Sequence, residues 1–168
     1  MACGIAEELD EPVVLTCTGA TASRNYMPAL TEAYYNKIPI IAITATQHLG
    51  RVGQNIPQVI DRSSHLKDIT KKSIQLQSIH SDEDRWAANL QINDVLLECR
   101  RNGGGPVHIN MVTTYSNEFE VNKICNQKKI NRYTYSDDLP KIDENIKNVA
   151  IFIGNHKPFT SEEINCIE

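Results

Sequence analysis

Two loops in this 168-residue chain carry residue types and spacings that could do chemistry. The first is CTGATASRN, residues 17–25, where a run of small and hydroxyl residues ends an apolar stretch and opens a helical pattern. Gly19, Ala20, Thr21 and Ala22 leave the backbone open, so its N–H and C=O groups can be offered to a flat ligand. The hydroxyls of Thr18 and Thr21 and the amide of Asn25 add side-chain donors and acceptors. The segment is not GxGxxG and has no Walker lysine, so it gives no signal of a phosphate cradle. A capped strand-to-helix turn with no ligand would read the same way.

The second loop is ATQHLGRVGQNIPQ, residues 45–58, in which Gln47, Gln54 and Gln58 alternate with Gly50, Gly53 and Arg51. Glutamines orient a polar substrate without adding charge to a site. A solvated surface loop is the plain alternative, because loops of this length are either functional or mobile.

The elements that must hold these loops follow from hydrophobic periodicity. ACGIAEEL (2–9) reads as a helix stopped by Asp-Glu-Pro, since the residue before proline disfavours helix. VVLTC (13–17) and IIAIT (40–44) are continuous apolar strands, and Met27, Leu30 and Tyr34 form one stripe of a helix over 22–36. KSIQL (72–76) is a third strand and VHINM (107–111), after the Gly103–Pro106 turn, a fourth. Between them, residues 82–102 make a helix with acids in its first turn and Arg100 and Arg101 in its last, matching the helix dipole. Continuous apolar strands alternating with helices imply a doubly wound parallel sheet of α/β class, covered on both faces. Residues 1–113 form that domain. Residues 114–146 lack periodicity and read as a linker. In 147–168 a strand VAIFIG (149–154) and a helix start at TSEE, with Thr160 and Glu163 spaced as a capping box, open a second α/β domain.

Composition removes several classes of function. With 40% apolar and 23% charged residues the chain is an ordinary globular sequence, and no apolar run approaches the length of a membrane span. A net charge of −4 and scattered basic residues argue against nucleic acid as a partner. The five cysteines, Cys3, Cys17, Cys99, Cys125 and Cys166, are an odd number with no CxxC pair, which suits reduced thiols in a cytoplasm. His48, His65, His80, His108 and His156 have no metal-ligand spacing. His108, inside a strand, reads as a packed or hydrogen-bonded residue, and Trp86 as core or subunit interface.

The order VVLTCTGATASRNYMPALTEAYYNKIPIIAIT, then the Gly- and Gln-rich loop ending in PQVID, then GGGPVHINM resembles the pyrimidine-binding domain of thiamine diphosphate-dependent enzymes. The branch it is most similar to contains acetolactate synthase and 2-succinyl-5-enolpyruvyl-6-hydroxy-3-cyclohexene-1-carboxylate synthase. The resemblance covers residues 1–113, and VAIFIGNHKPF (149–159) resembles the start of the next domain of those enzymes.

That resemblance implies a thiamine diphosphate-binding fold lacking its first strand, with the cofactor aminopyrimidine against Gly19, Ala20, Thr21 and Asn25, and Gln58 near the reacting centre. It implies a decarboxylase or carboligase acting on a 2-oxo acid such as pyruvate, assembled as a homodimer or homotetramer. The family's catalytic glutamate would precede Met1, and its magnesium and diphosphate site would lie in a domain beyond this chain. This segment alone is therefore expected to be inactive. Glu7 and Glu8, at the far end of their helix, are poor substitutes. The TQHL segment replaces an Arg-Pro pattern of the succinyl-transferring branch, a departure that bears on the substrate. Two other readings stand beside this one. One is a short non-catalytic module that pairs with a separate diphosphate-binding subunit; the other is a flavin- or nucleotide-binding domain, which would need a glycine-rich phosphate loop.

Overall fold

The computed structural model describes residues 1–62, 68–114, 127–134, 137, 138, 141, 145–155 and 157–167. His65, Cys125 and His156 lie outside the described residues. Two compact units divide the chain, Met1–Arg132 and Tyr133–Glu168.

The first unit is built on a strand that has no solvent face. Strand β2 (Ile40–Thr46) sends Ile40 and Ala42 into one apolar cluster and Ile41 and Ile43 toward another. Successive side chains of a strand point to opposite faces, so an unbroken apolar run demands cover on both. On one face the cover is α1 (Ala2–Leu9), through Ala6, and α3 (Met27–Tyr35), through Leu30 and Ala33. The opposite face is covered by α4 (Asp82–Arg100), through Ala88, Val95 and Cys99.

Four parallel strands make the sheet, in the order β1-β2-β4-β3, with β1 at Val13–Cys17, β3 at Lys72–Leu76 and β4 at Val107–Val112. The doubly wound arrangement expected from the sequence is a consequence of this order. From β1 to β2 the chain steps one way along the sheet, and from β3 to β4 it steps back. Right-handed crossovers in opposite directions must lie on opposite faces, which puts α3 and α4 on different sides.

Local signals account for the helix ends. Asp10 closes α1 in the left-handed region at φ 51°. Ser81 caps α4 in a full capping box: its hydroxyl accepts from the Asp84 N–H, and the Asp84 carboxylate accepts from the N–H groups of Ser81 and His80. Those backbone donors hold the Asp84 carboxyl below the ordinary carboxylate range. Gly104, at φ 93°, is needed where the turn before β4 passes the Lys37 carbonyl, since a Cβ there would sit 2.8 Å from that oxygen.

Some expectations are revised. The helix over 22–36 is two pieces, α2 (Ala20–Arg24) and α3, with Asn25 and Tyr26 between them and Pro28 in the first turn of α3. Trp86 is 60% exposed and so is not core. Residues 127–132 pack along α4: the Asn93 side chain donates to the Lys128 carbonyl and accepts from the Ile130 N–H, and Arg132 pairs with Glu98. In the second unit the expected VAIFIG strand is irregular and exposed, because a strand needs a ladder partner and none is present among the described residues. The helix after it, α5 (Ser161–Ile167), does form on the expected capping box, with Thr160 and Glu163 exchanging side-chain-to-backbone hydrogen bonds.

Leu30 is 1% exposed at the centre of the α1/α3 cluster, so Leu30→Ala leaves a cavity that alanines nearby cannot fill. Urea unfolding of the variant is expected to show a loss of about 2–5 kcal/mol; a loss below about 1 kcal/mol would mean that the cluster is not a packed core.

Candidate functional site

In an open parallel sheet, ligands bind beyond the carboxyl ends of the strands. A cavity of about 380 Å³ lies there. Its walls come from the turn after β1 (Thr18, Gly19), the end of β2 (Ala45, Thr46, Gln47), the following loop (Pro57, Gln58) and the residues after β4 (Thr113, Thr114). Among the described residues no charged side chain lines it, and its polar groups are hydroxyls, amides and backbone.

Gln58 joins the two loops singled out in the sequence. Its Oε1 accepts from the N–H and the hydroxyl of Thr21, both at 3.1 Å. Helix α2 has Gly19 as its N-cap, a residue with no side chain to cap it, and the glutamine carbonyl supplies the missing acceptor from 37 residues beyond Thr21. The contact fixes which end of the amide is oxygen, so Nε2 is its donor end. It also explains Gly19: its φ of −81° suits any residue, but a Cβ would lie 2.6 Å from Gln58 Oε1. Gln58 itself adopts φ 65°, a left-handed conformation that costs about 1–2 kcal/mol outside glycine and is held by these bonds.

The expected site residues divide into three groups. Gly19 and Gln58 line the main cavity. Ala20 and Thr21 line a neighbouring one of about 220 Å³, with Arg24, Gln58 and Ile60. Asn25 lines neither; its backbone N–H closes the end of α2 on the Ala22 and Ser23 carbonyls. Ala45, Thr46, Thr113 and Thr114 were not singled out from the sequence. Their signal was positional: Ala45 and Thr46 are the last residues of β2, and Thr113 and Thr114 follow β4. Thr113 continues the ladder beyond β4, its N–H donating to the Thr46 carbonyl at 2.7 Å.

Beneath the cavity a buried polar chain crosses the sheet. Thr44, His108 and Asn110 are at most 2% exposed. Ser73 Oγ lies 2.8 Å from His108 Nδ1, His108 Nε2 lies 2.9 Å from Thr44 Oγ1, Thr44 donates to Asn110 Oδ1 at 2.8 Å, and Asn110 donates to Gln75 Oε1 at 2.6 Å. Thr44 spends its one proton on Asn110, so it must accept from His108. The imidazole proton is therefore on Nε2, and Nδ1 accepts from Ser73. One neutral tautomer makes all four bonds, in keeping with His108 as a hydrogen-bonded strand residue, and leaves Gln75 Nε2 at the end of the chain buried without a partner among the described residues. Burial, and secondly the positive charge of Arg62, push the His108 pKa down to about 4. Arg62 is 1% exposed, and one of its guanidinium nitrogens donates to the Ala45 carbonyl. At the start of the turn, burial raises the Cys17 thiol, against the opposing pull of Tyr26 and Arg62.

Comparison with known proteins supplies the family. The sequence family described as "Thiamine pyrophosphate enzyme, N-terminal TPP binding domain" matches residues 1–65. The chain is similar to the 2-succinyl-5-enolpyruvyl-6-hydroxy-3-cyclohexene-1-carboxylate synthase of Bacteroides fragilis, 35% identical over 133 residues, or 79% of this chain and 24% of that protein. It is similar to the synthases of the same name from Porphyromonas gingivalis, 36% identical over 66% of this chain and 19% of that one. The same holds for Listeria innocua, 37% identical over 65% and 19%. The chain spans about a quarter or less of the length of these relatives.

Because His108 is near pKa 4 when folded and about 6.5 when unfolded, the unfolded state takes up a proton first as pH falls. This contribution is fully present above pH 6.5 and is lost progressively down to about pH 4, a total of about 3 kcal/mol. Urea unfolding at pH 7, 5 and 4 should show that loss, and His108→Gln should flatten it. A ring carbon shift that reports imidazolium at pH 5.5 in the folded chain would contradict the assignment.

Proposed function

The chain belongs to the thiamine diphosphate-dependent enzymes through this N-terminal domain, and from that premise we propose that the 380 Å³ cavity is one wall of the cofactor's aminopyrimidine pocket. The observation that carries the reading is the Gln58–Thr21 contact, which holds a side-chain-free edge at Gly19 and a glutamine amide at one cavity. An aminopyrimidine is flat and neutral and carries ring acceptors beside an amino donor. Gly19 and Ala45 let such a plane approach the backbone, Gln58 Nε2 offers a donor, and the hydroxyls of Thr18, Thr46 and Thr113 are positioned by their strand ends. When bound, thiamine diphosphate supplies the electron sink for breaking or making a bond next to a 2-oxo group. The work of this domain is to bind and orient, and to exclude water with Pro57 and Ala45.

In the whole protein the reaction is a decarboxylation or carboligation of a 2-oxo acid such as pyruvate. Magnesium and the diphosphate are held by residues other than those lining this cavity, and the active enzyme is a homodimer or homotetramer in the cytoplasm. The 168-residue chain alone is therefore expected to orient the pyrimidine without catalysing turnover.

Titration with thiamine, followed by backbone amide shifts, should perturb Gly19, Thr21, Gln58 and Thr113 together. Gly19→Val, which fills the edge and displaces Gln58, should weaken binding at least about tenfold. Gln58→Ala should do the same while also lowering stability by about 1 kcal/mol through the lost cap. Shifts scattered away from these residues, or equal affinity in Gly19→Val, would remove the pyrimidine assignment.

A further inference from the structure

Helix α4 carries an apolar stripe on the side it turns away from the sheet. Its packed face is Ala88, Ile92, Val95 and Cys99. Trp86, Leu90 and Leu97 follow one another at i, i+4 and i+11, which at about 100° per residue puts them within about 40° of each other on the opposite side of the helix. Residues 127–132 enlarge the stripe. They are tied to α4 through Asn93, which donates to the Lys128 carbonyl and accepts from the Ile130 N–H, and through Arg132 on Glu98. Ile130 thereby joins Leu90 and Leu97 in an apolar groove of about 370 Å³, with Gln91 and Asp94 on its wall. Trp86 and Ile130 remain 60% and 40% exposed, and a contiguous apolar group of this kind marks a contact surface where a lone exposed residue would not. The groove shares no residue with the cavities at the strand ends, so the cofactor reading does not account for it.

The charges at the two ends of α4 indicate the partner. The first turn carries Asp82, Glu83 and Asp84, and the last turn carries Arg100, followed by Arg101. The point between Gln91 and Ile92 lies halfway between Trp86 and Leu97, and also halfway between the acids at 82 and 83 and the arginines at 100 and 101. A second α4 laid antiparallel about a two-fold axis at that point sets Trp86 of one copy opposite Leu97 of the other. It also sets Asp82 and Glu83 opposite Arg100 and Arg101, whereas parallel pairing would face acid with acid. Arg100 already meets Glu11 and Arg101 meets Glu98, yet both side chains stay about half exposed and have donors to spare. Exposed pairs of this kind add little affinity; their effect is to select the orientation.

We propose that the outer face of α4 is a self-association surface, on which a second copy of this chain docks antiparallel and each Trp86 indole enters the groove of the other copy between Leu90, Leu97 and Ile130. The Asp94 carboxylate, which also takes Lys72, has acceptor positions left for the indole N–H. The contact is isologous and closes at two copies, giving a dimer and not a fibre. A helix face about 28 Å long, with the adjoining segment, offers about 500–600 Å² per partner, below the roughly 800 Å² of a standard interface, so the association is micromolar rather than nanomolar. This surface stands whether or not the main cavity holds a pyrimidine.

Trp86 is the only tryptophan of the chain, so its emission reads the contact directly. Sedimentation of the 168-residue chain over a concentration series should show a reversible monomer–dimer equilibrium, with the emission moving to the blue along the same curve. Trp86→Ala, checked for folding by circular dichroism, should weaken association at least about tenfold and leave thiamine shifts at Gly19 and Gln58 unchanged. Asp82→Lys with Glu83→Lys should weaken it by a similar factor, as should Arg100→Glu with Arg101→Glu. Mixing those two variants should restore a dimer, because each supplies the charge that the other has lost. A monomer at every concentration overturns the surface, as does an emission independent of concentration, which a cover from within the same chain would give. Undiminished association in Trp86→Ala, as pairing through the exposed residues 149–154 would produce, overturns it too. Failure of the two charge-reversed variants to pair with each other overturns the antiparallel docking.

Discussion

Burial of β2 on both faces is the constraint from which the site follows. Ile40 and Ala42 need α1 and α3 on one side, and Ile41 and Ile43 need α4 on the other. Only a parallel sheet with crossovers on both faces supplies that, and a parallel sheet points all its carboxyl ends the same way. The turns after β1, β2 and β4 are then forced to one edge. A cavity between them is a consequence of packing first and of ligand chemistry second.

Packing alone would leave the turns loosely related, and Gln58 is what relates them. Its loop leaves β2 and returns over the start of α2, where the amide carbonyl replaces a cap that Gly19 cannot provide. A side chain at residue 19 would have to displace that same atom. A single contact therefore stabilises a helix start, sits over an edge of bare backbone and fixes which end of the amide is the donor. The left-handed backbone of Gln58 is the local cost, offset by two hydrogen bonds to Thr21.

The elements were legible in the sequence wherever one local rule decided them. IIAIT declared a doubly buried strand, Asp-Glu-Pro a helix end, and Thr160 with Glu163 a capping box. The break between α2 and α3 was not legible, because Pro28 is tolerated in a first helical turn and signals a start only when the preceding helix is known to stop. VAIFIG has strand composition but no ladder among the described residues, and pairing is a property that composition does not carry. At the site, Gly19 and Gln58 could be named from residue type and resemblance. Thr46, Thr113 and Thr114 could not, since three threonines acquire meaning only when the register Thr46↔Val112 puts their strand ends side by side.

The polar chain beneath the cavity shows why the site tolerates so little freedom. Ser73, His108, Thr44, Asn110 and Gln75 span three adjacent strands in one donor direction, and each has a single way to satisfy its neighbour. A register slip of one residue in β4 would bury Val107 and Ile109 where His108 and Asn110 now stand and would leave Thr44 without either partner. The hydrogen bonds thus fix the relative height of β2 and β4, and with it the approach of Thr113 to Thr46. An apolar core would pack the same strands with more tolerance for sliding. Here the polar chain, at the expense of a histidine that must stay neutral, sets the alignment of the strand ends from which the main cavity is built.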